Sequence, residues 1–242
     1  DITHSVLDYQ ITDGGSAEGD SEAESSEEVA GVFAMADSSL VESTLRLIHD
    51  ASLHAVLMDI DDLALLNCLW ECEPPSDDHS VCVVDVGATY TNVAILGHHG
   101  APCVRDLPHG SDHITKEMVA QRGVSASAVE ALLSGADSGQ IDEESQLALA
   151  AACTRIMTGI GSTLRYYRST GAVAPFEQIH LCGGLAQVPA FVELLRQSLP
   201  VTVTPWTPFE KIRIAKDAVG AELLETSGPM MALATGLAMR AL

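Results

Sequence analysis

The sequence predicts an α/β fold in which a mixed sheet carries a helical insert, preceded by a small α+β subdomain. Three observations lead there. A fully apolar run at residues 81–84 and an apolar strand at 178–181, where Ile179 and Leu181 flank His180, each stop at a glycine-bearing turn, as buried strands do. Between them lies a block of helical periodicity from about residue 111 to 169. Ahead of both, residues 6–48 read as strand, strand, helix.

Taken in order, residues 6–12 alternate Val6, Asp8 and Gln10 against Leu7, Tyr9 and Ile11, the period of a strand. Residues 13–28 are Gly, Ser, Ala and acids without aliphatic period, so they read as a solvated hairpin insert or an acidic partner-binding segment. Residues 29–36 form a second strand. Asp37 or Ser38 then caps a helix with Leu40, Val41, Thr44, Leu45 and Ile48 on one stripe. Residues 55–60 read as a further strand, and Asp61 or Asp62 opens a helix with Leu63, Leu65, Leu66 and Leu69 inward. Pro74 and Pro75 break the chain within residues 73–79, and a subdomain boundary falls there. The run at 81–84 turns tightly into a strand at 92–96, and 103–107 adds a third. Helices follow around Ile114, Met118 and Val119, at 125–133 and at 143–169. After the run at 178–181 come a helix at 189–199, burying Phe191, Leu194 and Leu195, a strand at 201–204 and an Ala-rich helix at 230–242.

Composition excludes several classes. Thirty-four acidic against twelve basic residues give a formal charge of −22 over 242 residues, which repels nucleic-acid phosphates and anionic membrane surfaces. Part of that charge sits in residues 18–28; a halophilic source, where salt at about 1 M screens charge within roughly 3 Å, is the other account. Aromatics are only 4% of the chain, so the core is aliphatic. Six cysteines lie mostly in apolar runs, as reduced thiols in a reducing compartment do. Cys68 and Cys72 share a helix face, but no further ligands at metal-site spacing accompany them. No signal peptide and no apolar run of the roughly 20 residues needed to cross a bilayer is read, so membrane insertion is not expected. The chain opens at Asp1 in mid-pattern, which suggests a longer natural N-terminus.

Chemistry concentrates in two turns. Asp85 ends a buried strand and is followed by Gly87, Ala88, Thr89 and Thr91. Glycine lets phosphate approach backbone N–H groups, threonine adds hydroxyls, and a strand-end carboxylate can orient water on Mg²⁺. An ordinary β-turn after an Asp is the plain alternative. About a hundred residues later, Gly183, Gly184 and Leu185 stand between strand and helix, where paired glycines let a flat ring or a phosphate lie on the backbone. Neither GxGxxG nor GxxxxGK[ST] occurs, which excludes the two commonest nucleotide motifs.

Together these pieces resemble the actin, DnaK-type chaperone and FtsA superfamily, and within it the type IV pilus assembly PilM family. The resemblance rests on residues 6–10 (VLDYQ), 40–64, 83–89 (VVDVGAT), 164–168 (LRYYR), 181–195 and 232–238 (ALATGLA). It implies an actin-like, ribonuclease H-like second lobe. In that arrangement residues 1–73 are a small subdomain completing part of the first lobe. Residues 80–110 and 174–208 are the sheet subdomain of the second lobe, 111–173 its helical subdomain, and 209–242 a linker and returning helix.

The resemblance further implies ATP with Mg in the full-length protein, held by Asp85, Gly87, Ala88, Thr89, Thr91, Gly183, Gly184 and Leu185. The family's first phosphate hairpin belongs ahead of residue 1, so this chain offers one wall of the cleft and by itself holds nucleotide weakly or not at all. Implied partners are the cytoplasmic tail of a PilN-like membrane protein, pilus motor ATPases and further copies of the chain. The implied location is the cytoplasmic side of the inner membrane, reached through partners. A scaffold with little or no ATP turnover fits best. An actin-like ATPase or sugar-kinase relative with real turnover, and a type II secretion adaptor, are the alternatives.

Other conspicuous residues have plainer readings. His98, His99, His109 and His113 read as solvated turn histidines rather than a metal site. Tyr166, Tyr167 and Arg168 read as helix-end packing on the sheet, or else as a partner contact. Trp206, before Pro208, is either an exposed anchor or a cover for the core.

Overall fold

Alternation along one strand explains how the layers form. In β3 (Ser80–Val86), Val81 and Val83 point to one face of the sheet while Cys82, Val84 and Val86 point to the other, and all are buried. A strand with no polar face requires cover on both sides. The computed structural model, which describes residues 4–11, 31–75, 79–97, 102–134, 142–169, 178–215, 217 and 220–240, supplies that cover.

The sheet has the order β5-β4-β3-β6-β7. β4 (Thr91–Gly97) and β5 (Cys103–Leu107) continue β3 as an antiparallel meander, while β6 (Gln178–Gly183) and β7 (Thr202–Pro205) run parallel to it. On one face pack α3 (Ser111–Arg122), α5 (Glu143–Ser169) and α6 (Pro189–Ser198), with α4 (Ala126–Leu133) alongside α3. On the other face α2 (Asp61–Cys72) and α8 (Ala232–Ala238) bury Leu65, Leu69 and Ala232 with Trp206. At the sheet margin Arg196 Nε donates to the Val203 carbonyl at 2.9 Å, and β7 closes on Pro205.

Residues 1–58 with Leu242 and residues 59–241 form two compact units. In the first, β1 (Ser5–Ile11) and β2 (Gly31–Asp37) pair antiparallel, Tyr9 opposite Phe33, and α1 (Ser38–Asp50) follows with Asp37 capping the Ser39 N–H at 2.8 Å. The acidic stretch at 13–28 lies outside the described residues.

Several expectations change. The sequence put a boundary after residue 73, but the chain divides after Met58, because α2 buries its apolar side chains against β3 and β4. Residues 55–60 form no strand, since no described strand lies beside them to complete a ladder. The helix expected at 230–242 begins instead as a 3₁₀ turn, Gly228–Met231, and turns α-helical only at α8. An unanticipated short helix, α7 (Ala221–Thr226), precedes it. α5 is, by length and hydropathy, apolar enough to cross a membrane; half of that window is instead buried in the core. Trp206 is 3% exposed and belongs to the core. Tyr167 is buried with its hydroxyl 2.9 Å from Ser80 Oγ, whereas Tyr166 is exposed. The six cysteines are free thiols, five of them buried.

Candidate functional site: a cleft at the strand ends

Register brings the two glycine turns together. β3 and β6 are parallel neighbours, with Asp85 opposite Cys182 and Val86 opposite Gly183. Their carboxyl ends therefore release both turns side by side, where open α/β sheets form ligand crevices. Gly183 has φ +84, and a β-carbon there would collide with the Val86 carbonyl and with Asp85 Oδ1. Only glycine fits. At Gly184 a β-carbon would meet nothing within 4 Å, so this backbone faces open space.

The hairpin after Asp85 closes through the Gly87 N–H donating to the Tyr90 carbonyl at 3.0 Å. Its carbonyls are held by α3: the Ser111 N–H donates to Gly87 at 3.0 Å and the Asp112 N–H to Ala88 at 2.9 Å. The next two N–H groups, of His113 and Ile114, go to the Gly110 carbonyl. All four donors of the first turn of α3 are thus filled by protein, and this helix end clamps the hairpin instead of receiving an anion. Gly110 has to be glycine for the approach, because a β-carbon there would strike the Gly87 and Ala88 carbonyls. Among the described residues no backbone carbonyl takes the N–H groups of Ala88 and Thr89. Both residues are exposed, so these amides are open to solvent or to a ligand.

These elements enclose a cleft of about 740 Å³. Of the residues anticipated from sequence, Asp85, Gly87, Ala88, Gly183, Gly184 and Leu185 line it. Thr89 is exposed outside the lining. Thr91 is corrected: it is fully buried, and its hydroxyl donates to the His109 carbonyl at 2.7 Å, tying the hairpin to the loop before α3. The sequence reading missed Ser111, Asp112, Thr115 and Lys116 on α3, Glu130 and Ser134 near α4, and Gln187 and Met230. The signal was the four-residue spacing of Ser111 with Thr115 and of Asp112 with Lys116, which puts each pair on one helix face.

The electrostatics are those of an acidic cleft. Burial, helped by the charge of Asp61, raises the Asp85 carboxyl to about 6. Asp61 is itself raised by burial and then by Asp106 and Asp59, and Asp62 by burial and by its bond to Asp106. Asp59 is held by Arg240 Nε at 2.9 Å. Lys116 is the basic lining residue, against Asp85, Asp112 and Glu130. A polyanion entering here needs its own cation. Among the described residues no group of three His, Cys, Asp or Glu side chains is placed to hold a metal ion. His109 and His113 have ring centroids 4.7 Å apart, and His98 and His99 lie outside the described residues.

Solved structures share this architecture. One protein chain of a PilM-PilN type IV pilus biogenesis complex superposes with a TM-score of 0.79 at 24% identity, over 98% of this chain and 66% of that one. The ethanolamine utilization protein EutJ from Carboxydothermus hydrogenoformans gives 0.55 at 16% identity, over 81% of this chain and 59% of that one. MreB 5 of Spiroplasma citri, solved bound to AMPPNP, gives 0.52 at 14%, over 83% and 63%. This chain therefore spans at most about two thirds of each of these proteins. The fold is actin-like, of the α/β class, as the sequence suggested. The sequence profile of the type IV pilus assembly protein PilM matches residues 7–242, which is nearly the whole chain. With that profile and this fold in agreement, the chain belongs to the type IV pilus assembly protein PilM family.

Proposed function

We propose that this chain is the larger part of an actin-like scaffold in the inner-membrane platform of a type IV pilus, and that its cleft is one wall of an ATP site. One observation carries the nucleotide reading: the parallel register of β3 and β6 sets two glycine turns side by side over one cleft, with no backbone carbonyl on the Ala88 amide that lines it. The chemistry of the lining fits. The N–H group of Ala88 would hold phosphate, Asp85 would orient water on an accompanying Mg²⁺, and the open backbone at Gly184 beside Leu185 would carry the adenosine. Lys116 alone cannot offset the lining acids, so the magnesium complex, not free ATP, is the form that fits.

The absence of turnover is part of the proposal. A nucleotide that is held but rarely hydrolysed would stabilise one arrangement of lobes, and the scaffold would signal by that arrangement. In this reading the protein lies in the cytoplasm and reaches the inner membrane through the tail of a PilN-like partner, and it also contacts the motor ATPases. The PilM-PilN complex among the similar structures supports the choice of partner.

Thermal denaturation of the full-length protein tests the nucleotide half. A saturating excess of Mg-ATP should raise the melting temperature, by about 3–4 kcal/mol of linkage at 100- to 1,000-fold excess over Kd, and ATP with a chelator should not. No rise with Mg-ATP would remove the nucleotide switch from the proposal. A phosphate-release rate of about 1–100 per second would instead identify a working phosphotransferase or ATPase.

A further inference from the structure

Charge is distributed unevenly along this chain. Residues 145–209 hold just two of its 34 acidic residues, Glu177 and Glu193, yet four of its twelve basic ones, Arg155, Arg165, Arg168 and Arg196. Arg168 and Arg196 sit in the last turns of α5 and α6, where a cation complements the helix dipole. That accounts neither for Arg165 nor for the lack of acids around it.

The fold gathers three of these arginines. The C-terminal half of α5, the end of α6 and the start of β7 frame two adjoining grooves of about 390 and 590 Å³, which share Arg168, Leu199 and Pro200. Arg165 lines the first and Arg196 the second, and Met157 and Leu164 give the first an apolar floor. Arg165 donates to Ser162 Oγ at 3.0 Å and Arg196 to the Val203 carbonyl at 2.9 Å. Among the described residues, neither is paired with a carboxylate, whereas Arg122, Lys211 and Arg240 are.

We propose that this groove is a docking site for an extended acidic peptide segment of a partner protein. Its carboxylates would pair with Arg165 and Arg196, and its apolar side chains would rest on Met157 and Pro200. The guanidinium fork favours carboxylate geometry. The surface is a groove with an apolar floor, which a peptide can enter and a lipid plane cannot follow. The rest of the chain, with all but two of the acidic residues, would be repelled by an anionic bilayer or by nucleic acid.

The test is fluorescence polarisation with the full-length protein and a short labelled peptide of alternating Glu and Leu. Binding should be saturable and should weaken steeply with salt, and the double variant Arg165→Gln, Arg196→Gln should weaken it about tenfold or more. Both side chains are exposed, so an unchanged melting temperature will show that the variant is folded. Equal binding of a Gln-and-Leu peptide, or of the glutamate peptide to the double variant, would overturn the proposal. So would arginine-dependent sedimentation with phosphatidylserine vesicles in the absence of peptide binding.

Discussion

Gly236 in α8 lies so close to Ala64 in α2 that no β-carbon fits between them: one built on Gly236 would overlap the Ala64 carbonyl and come within 3.2 Å of Cys68 Cβ. The two helices cross almost backbone to backbone on the sheet face that also buries Trp206. Gly236→Ala should therefore cost about 1–3 kcal/mol by forcing the helices apart, and Gly236→Val more. Chemical denaturation of both variants checks the order. An unchanged midpoint for Gly236→Val would mean that the contact is loose.

The two glycines of the second turn should behave differently. Gly183→Ala meets both a left-handed φ and a collision with Val86, so it should lower stability by more than about 1 kcal/mol even without ligand. Gly184→Ala faces open space, and its apo melting temperature should stay within a degree or so of the parent. If adenosine lies on this backbone, Gly184→Ala should lose most of the Mg-ATP stabilisation while keeping the fold. A full ligand shift in Gly184→Ala would move the nucleotide away from this turn.

Asp85 provides a pH test with a defined sign. Its folded pKa, raised by burial to about 6, exceeds the unfolded value, so its contribution is fully present below pH 4 and is lost as pH rises through 6. Asp85→Asn removes that loss. The variant should be more stable than the parent by about 1–3 kcal/mol at pH 7.5, with the gain fading toward pH 4. Parallel melting curves across that range read it directly, and a gain independent of pH would contradict the assignment.

Tyr167 and Ser80 join the end of α5 to the start of β3 through hydroxyls 2.9 Å apart in a buried setting. Tyr167→Phe should cost about 1–2 kcal/mol, because the Ser80 hydroxyl loses this partner without gaining water. Adding Ser80→Ala should cost less than the sum of the single changes. Strict additivity in denaturant titrations would show that the pair does not act together.

Much of this was legible because it depends on period. The doubly buried run of β3, the long apolar stripe of α5 and the glycine turns after Asp85 and Cys182 are local patterns, and each is where it was expected. What was not legible depends on distant neighbours. Residues 55–60 have strand composition, but a strand exists only beside another strand. Thr91 has the hydroxyl a phosphate turn calls for, yet the carbonyl of His109, in a loop 18 residues on, takes it. The side chains that α3 adds to the cleft are there because Gly110 lets the helix dock on the hairpin, and the sequence carries that only as one glycine among nineteen.

The last strand of the sheet has a consequence for how copies of this chain behave at high concentration. An open edge is a template on which a foreign strand can crystallise into a growing ladder. In β7 the Val203 carbonyl is occupied by Arg196, and Pro205 brings no N–H at all. At the opposite edge, β5 exposes Arg105 and Asp106. Both margins of this five-stranded sheet thus discourage templated growth.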